Sequence, residues 1–157
     1  MKKEITIHIC TTEKDFEIAK LITQDYMKWL GMDLSFQKTD GEFEVFNQMY
    51  GYPDGCFIYA KTNNTIVGGV GCRKLDAAIC EMKRLYVYEE FQGLGIGRKL
   101  CDELVAISES LDYKKMRLDT VAKLKSAIKL YEKIGFVEIP KYYENPDKTA
   151  KYMELEF

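Results

Sequence analysis

The stretch Gln92-Gly93-Leu94-Gly95-Ile96-Gly97 sets glycine at alternate positions between an apolar run ending in Leu85-Tyr86-Val87 and the basic pair Arg98-Lys99. Leu100, Leu104, Ile107 and Leu111 then repeat at helical spacing, which makes the segment a strand-to-helix loop with a helix beginning at Arg98-Lys99. Glycines uncover backbone N–H groups, and here those groups converge on the positive end of a helix beside two cationic side chains. Such a nest suits a pyrophosphate, each cation adding up to roughly 1 kcal/mol at an exposed site. Spacing excludes two other phosphate loops. No Gly-x-x-x-x-Gly-Lys-Ser/Thr occurs, and a dinucleotide fingerprint opening at Gly93 would need a third glycine where Arg98 stands. Taken alone, the glycines are equally well explained as a tight turn with no ligand.

The rest of the chain predicts what surrounds the loop. Apolar residues switch repeatedly between periods of two and 3.6, with no repeat, low-complexity tract or Pro/Ser-rich linker, so residues 1–157 are expected to form a single domain. "EITIHIC" reads as a strand and "TEKDFEIAKLITQDYMKWLG" as a helix with Ile18, Leu21, Ile22 and Trp29 on one face, a capping box from Thr12 and Asp15, and Gly31 as its stop. A shorter helix covers "GEFEVFNQMYGY". Three antiparallel strands follow in "CFIYAKTNNTIVGGVGCRKLDAAICEMKRLYV", turning at Asn63-Asn64 and near Asp76, and the third runs into the glycine loop. "KKMRLDT" is a strand, "KSAIKLYEKIG" a helix closed by Gly135, and "FVEIP" and "KYMELEF" are strands, the last with Met153, Leu155 and Phe157 on one face.

A net charge of −2 argues against a general nucleic-acid binder, though locally basic sites stay open. Five cysteines with no CxxC pair fit reduced thiols and neither a disulfide framework nor a metal site. No stretch reaches the roughly 18 apolar residues of a membrane helix, and the amino terminus lacks a long apolar core, so the expectation is a soluble, cytoplasmic protein without a membrane partner.

Gln92-x-x-Gly95-x-Gly97 resembles the acyl-CoA pyrophosphate motif of the Gcn5-related N-acetyltransferases (GNAT), in which Gln or Arg, two residues, Gly, one residue and Gly or Ala succeed one another. "LYV" resembles that family's fourth strand and "AIKLYEKIGF" its second conserved block, and the element order from Ile5 to Phe157 resembles the whole fold. The resemblance implies an α/β (α+β) fold: a mixed, mostly antiparallel sheet of six to seven strands, helices on both faces, and a splayed central strand pair. It implies acetyl-CoA as cosubstrate, no metal, and transfer of the acetyl group to a primary amine of a small molecule or peptide. Dimers are common in the family, so a homodimer is one assembly it implies.

The resemblance also assigns roles. Leu85, Tyr86 and Val87 would hydrogen-bond the pantetheine arm between the splayed strands, and Gln92, Gly93, Leu94, Gly95, Ile96, Gly97, Arg98 and Lys99 would hold the pyrophosphate. An alkylammonium has a pKa near 10 and must lose a proton before it attacks a thioester, so a base is needed. Glu81 resembles in position a glutamate that serves as that base in some members, often through water. Strand alternation puts it on the face of Ile79, Lys83, Leu85 and Val87, where apolar neighbours raise a carboxylate pKa and Lys83 opposes the rise. An ion pair with Lys83 or Arg84 explains the same glutamate equally well. Tyr131 in "LYEKIGF" resembles the tyrosine that protonates the departing thiolate; it also belongs to the apolar stripe Ala127, Leu130, Tyr131 and Ile134, and the two readings are compatible.

One departure stands out: where the family often has an asparagine before "AxxLY", this chain has Leu124, leaving Ser126 as a partial substitute for the cofactor contact. Acceptor recognition is expected from the aromatic residues Tyr26, Trp29, Phe46, Tyr50 and Tyr52 and from "PKYYENPDK", with Trp29, Tyr142 and Tyr143 as the chosen contacts. His8 reads as a surface histidine, and Cys72, Cys80 and Cys101 as small apolar packing residues with no mark of an activated thiol. Two rivals remain. A non-catalytic acyl-CoA sensor would need neither Glu81 nor Tyr131, and an acyltransferase for a longer chain would use space left by Gly68, Gly69 and Gly71.

Overall fold

The computed structural model describes residues 4–31 and 39–157. Its strands are β1 (Ile5–Ile9), β2 (Cys56–Thr62), β3 (Thr65–Lys74), β4 (Ile79–Val87), β5 (Lys115–Thr120), β6 (Val137–Ile139) and β7 (Lys151–Glu156). They form one sheet in the order β1-β2-β3-β4-β5-β7-β6, antiparallel everywhere except between β4 and β5. Helices α1 (Glu13–Leu30), α2 (Thr39–Glu44) and α3 (Phe46–Met49) accompany one face, and α4 (Ile96–Ser110) and α5 (Lys125–Ile134) the other. Alternation along β2 divides it between two cores: Cys56, Ile58 and Ala60 pack with Leu100 and Leu104 of α4, while Phe57 and Tyr59 pack with Phe16 and Ile22 of α1. This is the mixed, helix-covered sheet that the sequence predicts.

The parallel joint is short. Only Ile79, Cys80 and Glu81 of β4 register with Lys115, Met116 and Arg117 of β5, and beyond them the strands part. A bulge in β4 accompanies the parting: Gly71 faces Lys83 and Gly69 faces Tyr86, so Arg84 and Leu85 together oppose Val70, and Arg84 has a φ of 64°. The bulge corrects the expected alternation. Glu81 lies opposite in face to Cys80 and Met82, which join the α4 core, but after the extra residue Leu85 and Val87 join that core and Tyr86 joins the α1 core. Glu81 and Lys83 therefore do not share a face with Leu85 and Val87. A buried ion pair pins the distorted residue: Arg84 donates to Glu42 of α2 through Nη2 at 2.7 Å and Nε at 3.2 Å, and the Tyr50 hydroxyl donates to the same carboxylate at 3.2 Å.

The capping box of α1 is present, with Asp15 N–H donating to Thr12 Oγ1 at 3.1 Å, and Gly31 closes the helix in the left-handed region. Its buried stripe differs from the expected one: Phe16, Ala19, Ile22, Thr23 and Met27 face the sheet, while Leu21 and Trp29 are exposed. The single helix expected over 41–52 is two short ones, broken at Val45. Helix α4 begins at Ile96, two residues before the expected start, so Gly97 lies inside its first turn. Nor do Gly69 and Gly71 leave space for a longer acyl chain: a methyl group at Gly71 would stand 2.6 Å from the Tyr50 ring, and one at Gly69 2.9 Å from Phe57. No described helix is long and apolar enough to cross a membrane.

Candidate active site

The glycine loop leaves the end of β4 through a 3-10 turn at Glu89–Phe91 and enters α4 at Gly95. Gly93 and Gly95 have φ of 80° and 81°, the left-handed region that other residues adopt only with strain, and a side chain at either would meet nothing within 4 Å. The constraint is thus on the backbone turn, and the space above it is open. The first backbone bond of α4 is Lys99 N–H to Gly95 O at 3.2 Å, so the N–H groups from Gly95 to Arg98 have no intrahelical acceptor, and no side chain caps them. No acidic residue stands in this first turn, whereas Arg98 and Lys99 do, and Arg98 Nε donates to both oxygens of Asp102 one turn on, at 3.0 and 3.1 Å. Gln92 fastens the loop by donating from Nε2 to the Val87 carbonyl at 2.8 Å.

Tyr88 N–H bonds to Val67 O at 3.0 Å on the β3 side, so by alternation the N–H and C=O groups of Leu85 and Val87 point the other way, into the gap that β5 has left. A cleft of about 510 Å³ fills that gap. Its walls include Leu85, Tyr86, Val87, Gln92, Gly93, Gly95, Ile96, Gly97, Arg98, Ser126 and Tyr131, which places together most residues predicted for the cofactor. Leu94 and Lys99 do not line it; Leu94 is at the loop tip, 67% exposed. Trp29, expected at the acceptor, stands on the wall of this cleft, its ring 5.5 Å from Tyr86 and 6.3 Å from Tyr26. Lys123 and Lys125 also line the cleft and escaped the sequence reading. Lys123 donates to the Leu30 carbonyl at 2.6 Å, a contact spanning the cleft mouth that no local pattern announces. Leu124 lines the cleft without capping α5.

Tyr131 is buried at the inner end, edge-on to Phe136 at 5.8 Å. Its hydroxyl makes no hydrogen bond with any described residue, and burial, followed by the charges of its neighbours, holds the phenol well above its ordinary pKa. The phenol therefore keeps its proton at neutral pH.

Glu81 lies elsewhere. It is 1% exposed and does not line the cleft. Oε1 accepts from Arg73 Nε at 2.8 Å, Lys83 Nζ stands 3.8 Å away, and Oε2 accepts from the Tyr142 hydroxyl at 2.6 Å. Of the two ion pairs expected for Glu81, the one with Lys83 is present, while Arg84 is taken by Glu42. The adjacent tyrosine serves a second carboxylate: Tyr143 donates its hydroxyl to Asp119 Oδ2 of β5, which also accepts from Asn145 Nδ2 at 2.6 Å. Tyr142 further packs against Tyr152 at 5.3 Å and beneath Arg117 at 5.2 Å. Tyr142 and Tyr143 therefore fasten the β6–β7 connection onto carboxylates of β4 and β5, beside the parting of the two strands. Asp119 is half-buried, and its position lay in the predicted strand "KKMRLDT" without any pattern to single it out.

Known proteins share this architecture and sequence. An acetyltransferase from Streptococcus agalactiae superposes with a TM-score of 0.79 at 20% identity, covering 98% of both chains. A GNAT family acetyltransferase from Elizabethkingia anophelis, solved with acetyl-CoA bound, gives a TM-score of 0.65 at 24% identity over 99% of this chain and all of that one. In sequence, an uncharacterised N-acetyltransferase of Schizosaccharomyces pombe is 38% identical over 154 residues, 97% of this chain and 94% of the relative. The model of the acetyltransferase (GNAT) family matches residues 23–136. With the family's sequence spanning the parted strands, the glycine loop and the buried tyrosine, the chain belongs to the acetyltransferase (GNAT) family and is an acyltransferase.

Proposed function

We propose that the protein binds acetyl-CoA in the cleft between β4 and β5 and transfers the acetyl group directly to a primary amine of a small molecule or peptide. The observation that carries this is the continuity of one cleft from the N–H groups at Gly95–Arg98 to the Tyr131 hydroxyl, none of which finds a partner among the described residues. The pyrophosphate sits on the amino terminus of α4 with Arg98 as counter-charge. The pantetheine amides bond to the open edge at Leu85 and Val87, and the relative with acetyl-CoA bound has the same fold.

The amine nitrogen attacks the thioester carbonyl, the C–S bond breaks, and Tyr131 gives its phenolic proton to the departing sulfur. The proton lost by nitrogen moves to Tyr142 Oη while the Tyr142 proton passes to Glu81 Oε2, to which that hydroxyl is already bonded at 2.6 Å. Tyr131 regains its proton from solvent and Glu81 Oε2 gives one up to solvent through Tyr142, so the net transfer is one proton from nitrogen to sulfur. The buried Arg73–Glu81 pair keeps Glu81 fixed through the cycle.

Thermal unfolding with acetyl-CoA, CoA, NAD and ATP, followed by thiol release with a panel of amines, tests this reading. The expected result is a shift with the CoA species alone, turnover with at least one amine, and a loss of about 10²-fold or more in turnover in Tyr131→Phe with the shift retained. Absence of a shift, or a preference for NAD or ATP, overturns the acyl-CoA reading. Unchanged turnover in Tyr131→Phe removes the tyrosine from the chemistry.

A further inference from the structure

Lys83 is an ionisable group beside the parting of β4 and β5 that the proposed transfer leaves unused. It stands on β4 immediately before the bulge, one alternation past the last residue that pairs with β5, with a side chain 18% exposed. Its ammonium donates to no described residue: the nearest carboxylate oxygen, Glu81 Oε1, is 3.8 Å away, beyond hydrogen-bond distance, and is already bonded to Arg73 at 2.8 Å. The second oxygen of Glu81 belongs to Tyr142. The Glu42 carboxylate is likewise engaged, by Arg84 and Tyr50. Arg73 and Lys83 thus share one carboxylate, leaving a unit of positive charge without a bonded counter-ion in a poorly solvated place. Burial, then the neighbouring Arg84, lowers the Lys83 pKa.

Opposite it, Asp119 Oδ2 is held by Tyr143 and Asn145, while Oδ1 has no donor among the described residues. Glu81 pairs with Arg117 in the β4–β5 register, so Lys83 and Asp119 each stand two residues further along their strands, on the two sides of the parting. The site therefore presents an ammonium and a carboxylate oxygen that no described side chain hydrogen-bonds, on neighbouring strands beside their parting.

We infer that the acceptor is an amino carboxylic acid, its carboxylate bound by Lys83 and its ammonium received at Asp119 before deprotonation. This rests on the acyl-CoA reading above and narrows its amine to one bearing an anionic group. A zwitterion supplies both missing partners at once, whereas a simple amine leaves the Lys83 ammonium with no acceptor.

The test compares matched acceptors by thiol release: free amino acids, β-alanine and 4-aminobutyrate, each against its carboxamide, with wild type, Lys83→Gln and Lys83→Arg. The expected result is a wild-type preference of about tenfold or more in kcat/KM for the carboxylate of a matched pair. In Lys83→Gln that preference falls to near one, chiefly through KM, and Lys83→Arg restores part of it. The thermal shift by acetyl-CoA is retained in both variants, which shows that they fold and bind cosubstrate. Equal or better turnover of the carboxamides overturns the inference, as does a preference that survives Lys83→Gln with its KM unchanged. Turnover of neither member of any pair, with the acetyl-CoA shift present, overturns it as well. A missing acetyl-CoA shift in wild type instead sinks the acyl-CoA reading itself.

Discussion

The hydroxyl of Tyr142 donates to Glu81 Oε2 at 2.6 Å across 61 residues of sequence, and it closes the second oxygen of a carboxylate whose first is held by Arg73. Burial and then the charge of Glu81 hold the phenol far above its ordinary pKa, so the proton stays on the tyrosine at rest. Tyr142→Phe leaves a buried carboxylate oxygen without its donor, a change worth about 1–3 kcal/mol of stability. The expected outcome is a lower midpoint in thermal unfolding together with a fall in turnover exceeding that in acetyl-CoA binding. Turnover equal to wild type, with the midpoint lowered, removes the proton route through Tyr142.

Two substitutions at Gly95 separate backbone strain from charge. A methyl group there meets nothing within 4 Å, so Gly95→Ala costs only the strain of a φ of 81°, about 1–3 kcal/mol. Gly95→Glu carries the same strain and adds a negative charge where the pyrophosphate is proposed to sit. Both variants are expected to melt at similarly lowered temperatures. The alanine variant keeps a measurable shift with acetyl-CoA, and the glutamate variant keeps none.

The glycine loop, the succession of strands along the chain and the caps of α1 were legible because each is written locally: alternate glycines, period-two runs, Thr12 with Asp15, and Gly31. Other features depend on residues far apart in sequence. The bulge needs Arg84 at positive φ, which its sequence does not advertise, and it is held by Glu42, 42 residues away. It turned a sound alternation argument for Glu81 into the wrong set of face-mates. Trp29 sits at a helical position that reads as core, yet its ring lines the cleft and its Nε1 donates to Glu89 at 2.7 Å. Asp119 was invisible because a carboxylate in a strand has no signature until the tyrosines that grip it are in place.

Acid unfolding should report on Asp15. Bonds from the Thr11 N–H, from the Tyr59 hydroxyl and from the Thr12 N–H hold its carboxyl down at about 2. A depressed folded-state pKa contributes stability that is present above the unfolded value near 4 and is lost as pH falls towards the folded one. Asp15→Asn is therefore expected to melt below wild type at neutral pH, and the difference to close as pH falls from about 4 to about 2. A constant difference across that window assigns the loss to packing.

All five cysteines are buried, and burial pushes the thiols of Cys10 and Cys101 up to about 12. The native protein is expected to react slowly with an aromatic disulfide at mildly alkaline pH and to release its full complement of thiols only once unfolded. Rapid labelling of any one of them would show a thiolate accessible in the folded protein.

The seam between β4 and β5 holds only three register pairs, which leaves the sheet as two antiparallel arrays leaning on one another, β1 to β4 on one side and β5, β7 and β6 on the other. Cooperativity between the two then depends on what occupies the space beyond Glu81. A molecule lying there and bonding to the open edge of β4 acts as a substitute strand, so amide hydrogen exchange should slow most in Leu85–Val87 and across the array carrying β5. On this view occupancy of the site welds the halves of the sheet, and the empty protein is the one in which they open independently.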